Sequence, residues 1–485
     1  MEFKRYNYLL KNKYILLLIA IFVFAFILRL YYFNANSTLW WDEAEYANKA
    51  KSLAFHTDYN EQWSPRKPIL LTAISFLVFK LGGGELALHF IMALFSLAGI
   101  LLTYLVGKEI YNEKIGVIAA SIASVFWLDL FFMARILTDV PSATLWLASV
   151  YFFWKGYVKK EGNKYLYLFG VFFGLTFLTR IFMGLMILAP LAYLLATEHF
   201  KFFKNKQLWL TAILILIVVS PLFVYLFTTY ETPIKKFTGI GEGRFAGSMG
   251  IPGLFKQLSL FTVYLNWIFL IPLLIGLYRL INMVLGFDLI SKEKEVSNDF
   301  FMLIWILIPL LFFGIISDHI EDRYIISVFP AVFFLTAHGI EKISSFIKKK
   351  NIQLANIAIV AIIIIGAILQ IRYADAIIEA KKDSYLPVKE AAIWMKQNSA
   401  PNDVIITNSV PQNIYYSDRY TYYFNSEEEF KTKVKELKPK YMVVSVFERS
   451  YDWYYKYPVE NNLSVAQAYF ADQQRTQPLL IVYQF

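Results

Sequence analysis

The sequence predicts a polytopic α-helical membrane protein of about eleven transmembrane helices, followed by a C-terminal soluble α/β domain on the extracytoplasmic side. Three observations predict it. Of the 485 residues, 58% are hydrophobic and the mean hydropathy is +0.48, against about 45–50% apolar residues in ordinary soluble domains. Apolar runs of spanning length recur from Tyr14 to about residue 372, after which the composition turns polar. Lys and Arg crowd into alternate connecting segments, as cytoplasmic loops require.

A helix crosses the hydrocarbon core with about 20 apolar residues. Spans are expected near 14–34, 85–106, 115–132, 140–157, 165–179, 182–197, 207–229, 258–285, 300–317, 325–342 and 353–372. The first run is too long for a signal-peptide core and lacks a small-residue cleavage site, so it is a retained anchor. The runs 165–179 and 182–197 are short and meet at Thr179-Arg180; fusing them would invert everything downstream. Charge keeps them apart: with the N-terminus inside, the inner segments hold 17 Lys/Arg in 61 residues and the outer ones 12 in 94, the positive-inside asymmetry. The stretch Pro68–Leu81 is too short to span and ends at Lys80 and three glycines. It suits a helix lying in the interface within a long outer loop, 35–84. A second outer loop, 230–257, has a glycine-rich centre. Residues 1–373 thus form a membrane domain and 374–485 a soluble one, with helices expected over Pro387–Asn398 and Ser426–Leu437 and strands at Val404–Thr407, Tyr441–Phe447 and Leu479–Tyr483.

The net charge of +10 is scattered through short loops, which suits anionic headgroups and argues against nucleic acid as a partner. The chain has no cysteine, which excludes disulfides, thiolate metal sites and cysteine nucleophiles.

Polar groups at membrane depth need a reason. Arg29, Asp42, Glu43, Arg66, Lys67, Arg135, Asp139, Arg180, Arg244, Asp318, Glu321, Asp322, Arg323 and Tyr324 fall at the outer ends of spans or in outer loops. The span interiors are almost free of charge, which disfavours an ion or proton pathway. The sharpest segment is Trp40-Trp41-Asp42-Glu43-Ala44-Glu45. One reading makes Asp42 the N-cap of a helix starting at Glu43, with Glu45 closing a capping box; the other makes Asp42 a base aimed at a hydroxyl. In Ser64-Pro65-Arg66-Lys67-Pro68, two cations fixed between prolines suit a lipid phosphate, or simply anchor at headgroups. Arg135 and Arg244 add cations to that set. Asp139 opens a span and is either a reacting-centre carboxylate or a helix N-terminal charge. In Asp318-His319-Ile320-Glu321-Asp322-Arg323-Tyr324, Asp318 and Asp322 offer at most a weak divalent site, and Arg323 with Tyr324 suits a phosphate contact.

Together these motifs resemble the GT-C glycosyltransferases, in particular the protein O-mannosyltransferase and lipid A aminoarabinose transferase group. The shared pattern is an outer loop opening with Asp42-Glu43, Lys67-Pro68 before an interfacial helix, Arg135 four residues before Asp139, and a late Asp322-Arg323-Tyr324. It covers about residues 14–345. The resemblance implies that Asp42 is the catalytic aspartate with Glu43 its partner, that Lys67 meets the donor phosphate, that Asp139 supports the reaction centre, and that Arg323 and Tyr324 line the donor site. Where protein mannosyltransferases carry His-Pro-Pro, this chain has Ser64-Pro65-Arg66, which weakens the case for protein hydroxyls as acceptor. The Trp-Trp-Asp-Tyr-Gly of oligosaccharyltransferases is replaced by Tyr451-Asp452-Trp453-Tyr454-Tyr455, which disfavours en bloc transfer.

The expected activity is therefore inverting transfer of one sugar from a polyprenyl phosphate to a lipid, glycan or protein hydroxyl at the outer face. No cofactor is required, since the donor lacks a nucleotide diphosphate; a divalent cation is not excluded. The alternatives are a membrane polysaccharide ligase or polymerase, and a lipid-linked sugar transporter.

Overall fold

A computed structural model describes residues 12–59, 67–238, 248–317 and 319–485. The chain folds as two compact units, one of Met1–Asn34, Pro68–Leu70 and His89–Ile377, the other of Ala35–Lys67, Leu71–Leu88 and Ile378–Phe485.

The first unit is helical. Among the described residues eight helices are long and apolar enough to cross a membrane: Lys13–Tyr32, Glu85–Ile110, Ile181–Lys204, Lys206–Thr229, Phe261–Leu285, Lys294–Ile316, Asp322–Lys348 and Ile352–Lys381. A ninth forms if Glu113–Val125 and Trp127–Met133, bent by 54° at Phe126, count as one span. The remaining two expected spans are helices too, but shorter: Asp139–Phe153, lengthened by a π-helical turn to Val158, and Asn163–Thr179. Every apolar run is thus a helix, and the runs at Thr179-Arg180 are separate, because Arg180 is extended (φ −155°). The interfacial segment is the 12-residue helix Ile69–Lys80. The helices Lys13–Tyr32 and Ile352–Lys381 have only 11% of their apolar windows buried within the protein; such outward apolar surface is what lipid covers. This is a multi-pass membrane protein.

Breaking a helix in an apolar setting strands backbone groups, and each must find a partner. The bend at Phe126 frees the amide of Trp127, and the non-helical Asn266 (φ 49°, ψ 177°) interrupts Phe261–Gly276. One fully buried side chain serves both. Gln370 Oε1 accepts from Trp127 N (3.0 Å), and its Nε2 donates to the Tyr264 carbonyl (2.9 Å). The helices Phe261–Gly276 and Phe329–Lys348 meet where neither carries a side chain. A Cβ on Gly276 would stand 1.9 Å from the Leu335 carbonyl oxygen, and one on Gly339 1.7 Å from that of Pro272, so only glycine permits this approach.

The second unit joins a five-stranded sheet to the outer-loop helix Trp41–Phe55. The strands are β1 (Val404–Ile406), β2 (Tyr420–Tyr422), β3 (Tyr441–Ser445), β4 (Ser464–Phe470) and β5 (Pro478–Gln484). Their order is β2-β1-β3-β5-β4; β1 runs parallel to β2 and β3, and β5 antiparallel to β3 and β4. The expected helices appear as Leu386–Gln397 and Glu427–Leu437, the latter capped by Ser426, which accepts from Glu429 N. The helices Val410–Ser417 and Asp452–Glu460 and the strands β2 and β4 were not expected from sequence.

From the charge pattern the N-terminus is expected inside and the tail outside. With no native cysteine, single cysteines at the exposed positions Ser248 and Ser464 will react with an impermeant thiol reagent in intact cells. One at the exposed Ser345 will react only after permeabilisation. Labelling of position 345 alone would reverse the orientation.

Candidate active site

In the second unit, the helix Trp41–Phe55 starts two residues earlier than its sequence suggests. Trp40 is the extended N-cap, and its backbone N–H donates to Glu43 Oε2 (2.7 Å). The carboxylate that closes the helix start is therefore Glu43, three residues after the cap, which corrects the expectation that Asp42 is the cap and Glu45 its closing partner. Glu43 is 1% exposed, and its acceptor capacity serves the backbone. Asp42 lies in the first helical turn, where the helix dipole favours a carboxylate.

Asp42 and Glu45, one turn apart, share a face, and both meet the same cation. Lys67 Nζ is 3.2 Å from Asp42 Oδ1 and forms a close ion pair with Glu45 Oε2. Trp41 Nε1 donates to the other Glu45 oxygen (3.2 Å), and the Tyr46 ring lies 5.7 Å from the ammonium. The cluster is half-buried: 27% exposed at Asp42, 21% at Lys67 and 13% at Glu45. Burial pushes the Glu45 carboxyl above its ordinary pKa despite Lys67. The structure thus brings Lys67 to Asp42 and Glu45; the sequence assigns Lys67 to a phosphate or headgroup, and Glu45 only to a capping role. Arg66 lies outside the described residues.

The first unit carries a second polar cluster. Asp139 heads the helix Asp139–Phe153 and is ion-paired to Arg180, which sits in the break after Thr179. The guanidinium stands over the Tyr324 ring at 5.1 Å and the Phe313 ring at 5.9 Å, geometry in which a cation gains from the ring faces. Tyr324 Oη donates to Glu321 Oε1 (3.0 Å) and lies 2.8 Å from His319 Nε2. Arg323 Nε donates to Glu321 Oε2 (2.5 Å). Burial would raise the Glu321 carboxyl, but the Arg323 charge and these hydrogen bonds hold it below the ordinary carboxylate range. Asp139, Arg323 and Tyr324 are therefore neighbours of one assembly, and Arg180, which had no assigned role, is its centre. Arg135 is fully buried, its guanidinium 5.2 Å from the Phe131 ring centroid. Asp322 Oδ1 accepts from Tyr264 Oη (2.7 Å). Asp318 and Arg244 lie outside the described residues. Among the described residues no three His, Asp or Glu side chains are arranged to hold a metal ion.

The Asp418-Arg419 pair in the tail reads from sequence as a solvated turn, and the structure corrects this. Asp418 ends the helix Val410–Ser417 in the left-handed region (φ 50°) and takes Lys51 (2.7 Å) and Lys396 on its two oxygens. Arg419 is 7% exposed and donates to the carbonyls of Lys396 and Ser399 (both 2.8 Å). Asp418, half-buried, ties the helix carrying Asp42 to the helix Leu386–Gln397, and the buried Arg419 fastens the end of the latter.

A profile described as dolichyl-phosphate-mannose-protein mannosyltransferase matches residues 66–225, which include Lys67, Arg135, Asp139 and Arg180. By fold, the chain is similar to ArnT from Cupriavidus metallidurans bound to undecaprenyl phosphate, at 13% identity and TM-score 0.67, over 97% of this chain and 98% of that one. The apo form of ArnT gives the same score over 96% and 97%. The Archaeoglobus fulgidus oligosaccharyltransferase AglB, in complex with an inhibitory peptide and a dolichol-phosphate, is 14% identical with a TM-score of 0.56, over 90% of this chain and 70% of that one. No curated protein sequence matches the chain. The fold is similar to that of ArnT, and the likeness takes in the tail.

Burial pushes Asp418 up, but Lys396 and Lys51 overrule it and hold the group below its ordinary pKa. A depressed carboxylate contributes stability that is present above its unfolded pKa and lost as pH falls through the folded one. Asp418→Asn, which keeps the left-handed turn, will therefore cost about 1 kcal/mol at pH 7. Thermal unfolding in detergent will show the gap from the parent closing as pH falls below about 4. A gap independent of pH would remove the ion-pair account.

Proposed function

We propose that the chain is an inverting glycosyltransferase that moves one sugar from a polyprenyl phosphate to a hydroxyl acceptor at the extracytoplasmic face. The observation that carries this reading is Lys67 held between Asp42 and Glu45 on a fold similar to that of ArnT. A polyprenyl-phosphate sugar is already activated, so the chemical demands are two: a base for the acceptor proton and positive charge for the departing phosphate.

Asp42 takes the acceptor proton as the hydroxyl oxygen bonds to the anomeric carbon. The bond from that carbon to the phosphate oxygen breaks, and the electron pair leaves with the polyprenyl phosphate. Lys67 meets the charge that develops on this leaving group, in a half-buried setting where a charge-assisted contact counts for more than in water. A single displacement inverts the anomeric configuration. Lys67 in the free protein neutralises Asp42; a phosphate that draws the ammonium away leaves that carboxylate more basic at the moment a base is needed. Glu45, oriented by Trp41 Nε1, remains as the second carboxylate near the lysine. The Asp139–Arg180–Tyr324 cluster of the first unit offers a cation backed by aromatic faces, suited to a phosphate or to a sugar hydroxyl. The reaction needs no metal, because the donor carries one phosphate and no diphosphate.

Two substitutions test the reading. Asp42 accepts no capping bond from Trp40, so Asp42→Asn will leave the helix and the unfolding temperature intact while lowering transfer by about 10²–10⁴-fold. Transfer near the parent rate would reject Asp42 as base. Lys67→Ala will weaken use of the donor by about 1.5–3 kcal/mol, the worth of a hydrogen bond to a charged group. Kinetics at varied donor and fixed acceptor will show it as a raised donor KM, and an unchanged donor dependence would return Lys67 to a structural role.

A further inference from the structure

We propose that a pocket beside Asp42, within the second unit, binds one pyranose ring of a carbohydrate acceptor; this rests on the transferase reading above and selects among its acceptors. The cavity is about 140 Å³. One wall is the face of the Asp42 helix formed by Trp41, Glu45 and Asn48, and the other is formed by Pro411, Ile414 and Tyr423 from the tail. Trp41, Glu45 and Asn48 stand at helical spacing, so they form a continuous strip, and Asp42 and Lys67 adjoin it through Glu45.

The walls are fixed. Asn48 Nδ2 donates to the Pro411 carbonyl (2.8 Å), Lys51 Nζ to the Tyr415 carbonyl (3.1 Å), and Tyr416 Oη accepts from Leu39 N (3.0 Å). The chemistry of the lining suits a sugar. The C–H face of a pyranose is apolar and lies flat on rings such as those of Trp41 and Tyr423. Its hydroxyls require planar acceptors and donors in the ring plane, such as the Glu45 carboxylate and the Asn48 amide. A peptide segment would ask for unpaired strand edges or a longer groove, neither of which a cavity of this size supplies.

The place in the sheet agrees. β1 has β2 on one side and β3 on the other, both parallel to it. The chain leaves the end of β1 for the helix Val410–Ser417 at a point where the strand order reverses, which is where open α/β sheets take ligands.

The test uses the full-length protein in detergent, without donor, titrated with methyl α-mannopyranoside, methyl β-glucopyranoside and methyl N-acetyl-β-glucosaminide, and read by saturation-transfer NMR. A serine- and threonine-bearing peptide serves as comparison. At least one glycoside is expected to bind, and to lose affinity at least 10-fold in Ile414→Trp, which fills the cavity, and in Tyr423→Ala, which removes a ring. Unfolding temperatures must stay at the parent value for the variants to count; if Ile414→Trp fails this, Tyr423→Ala alone decides. In turnover, both variants will raise the acceptor KM. The proposal is overturned if no glycoside binds the parent, if binding is the same in folded variants, or if only the peptide binds. A parent protein that transfers no sugar from any polyprenyl-phosphate donor would overturn the transferase reading instead, and the binding measurement would stand apart from it.

Discussion

Lys67 is one cation facing two carboxylates, and much of the second unit can be understood as the means of keeping it there. With Asp42 at 3.2 Å and Glu45 in closer contact, the trio carries a net negative charge in a half-buried place. Burial answers by raising the Glu45 carboxyl, so the trio favours an added cation, an added proton or a rearrangement of the lysine. In the proposed reaction, an arriving phosphate would compete with both carboxylates for the same ammonium.

The helix bearing two of these groups is held from the tail. Lys51 reaches Asp418, Asn48 reaches the Pro411 carbonyl, and Tyr416 closes on the Leu39 amide. Asp418 is also tied to Lys396 on the helix Leu386–Gln397, and Arg419 fastens the end of that helix. The outer loop and the tail are therefore one folded body, even though more than 300 residues separate Lys51 from Asp418 in the chain. A tail that contributes the frame of the Asp42 helix is a working part of the candidate site, with a stake in both its geometry and its acceptor wall.

What sequence revealed, and what it hid, divides along the range of the interactions. Spans are local in origin: twenty apolar residues suffice to announce one, and each expected run is a helix. The sequence set Lys67 and Asp42 in one outer loop but gave no sign of their ion pair, which depends on how that loop folds. The Asp42 helix start was misjudged because Asp42 and Glu43 are both adequate partners for an N-terminal amide. The choice depended on Trp40 being extended, which no composition rule gives. The helix Val410–Ser417 is rich in Tyr, Asn and Gln and shows no apolar stripe; its helicity comes from packing, with every residue buried. Asp418 looked solvated for the same reason, since its lysines come from distant segments. Gln370, lying in an otherwise apolar span, gave a visible signal in its polarity, but the two helix breaks it serves appear only in three dimensions.

The first unit shows how two buried arginines in one membrane fold can be told apart. Arg29 is wholly enclosed: its Nε donates to Ser96 (2.9 Å), one terminal nitrogen to the Ser124 carbonyl and the other to Asp129 (2.6 Å). A guanidinium has five N–H donors in a fixed fork, and here all three nitrogens are engaged with the protein out of reach of solvent, so the group holds the first span to its neighbours. Arg180 is 17% exposed, is ion-paired to Asp139 and lies over the Tyr324 ring. Position at the outer end of a span placed both arginines in the same class by sequence. What separates the two in the structure is access: the Arg29 guanidinium is wholly enclosed, and that of Arg180 is 17% exposed.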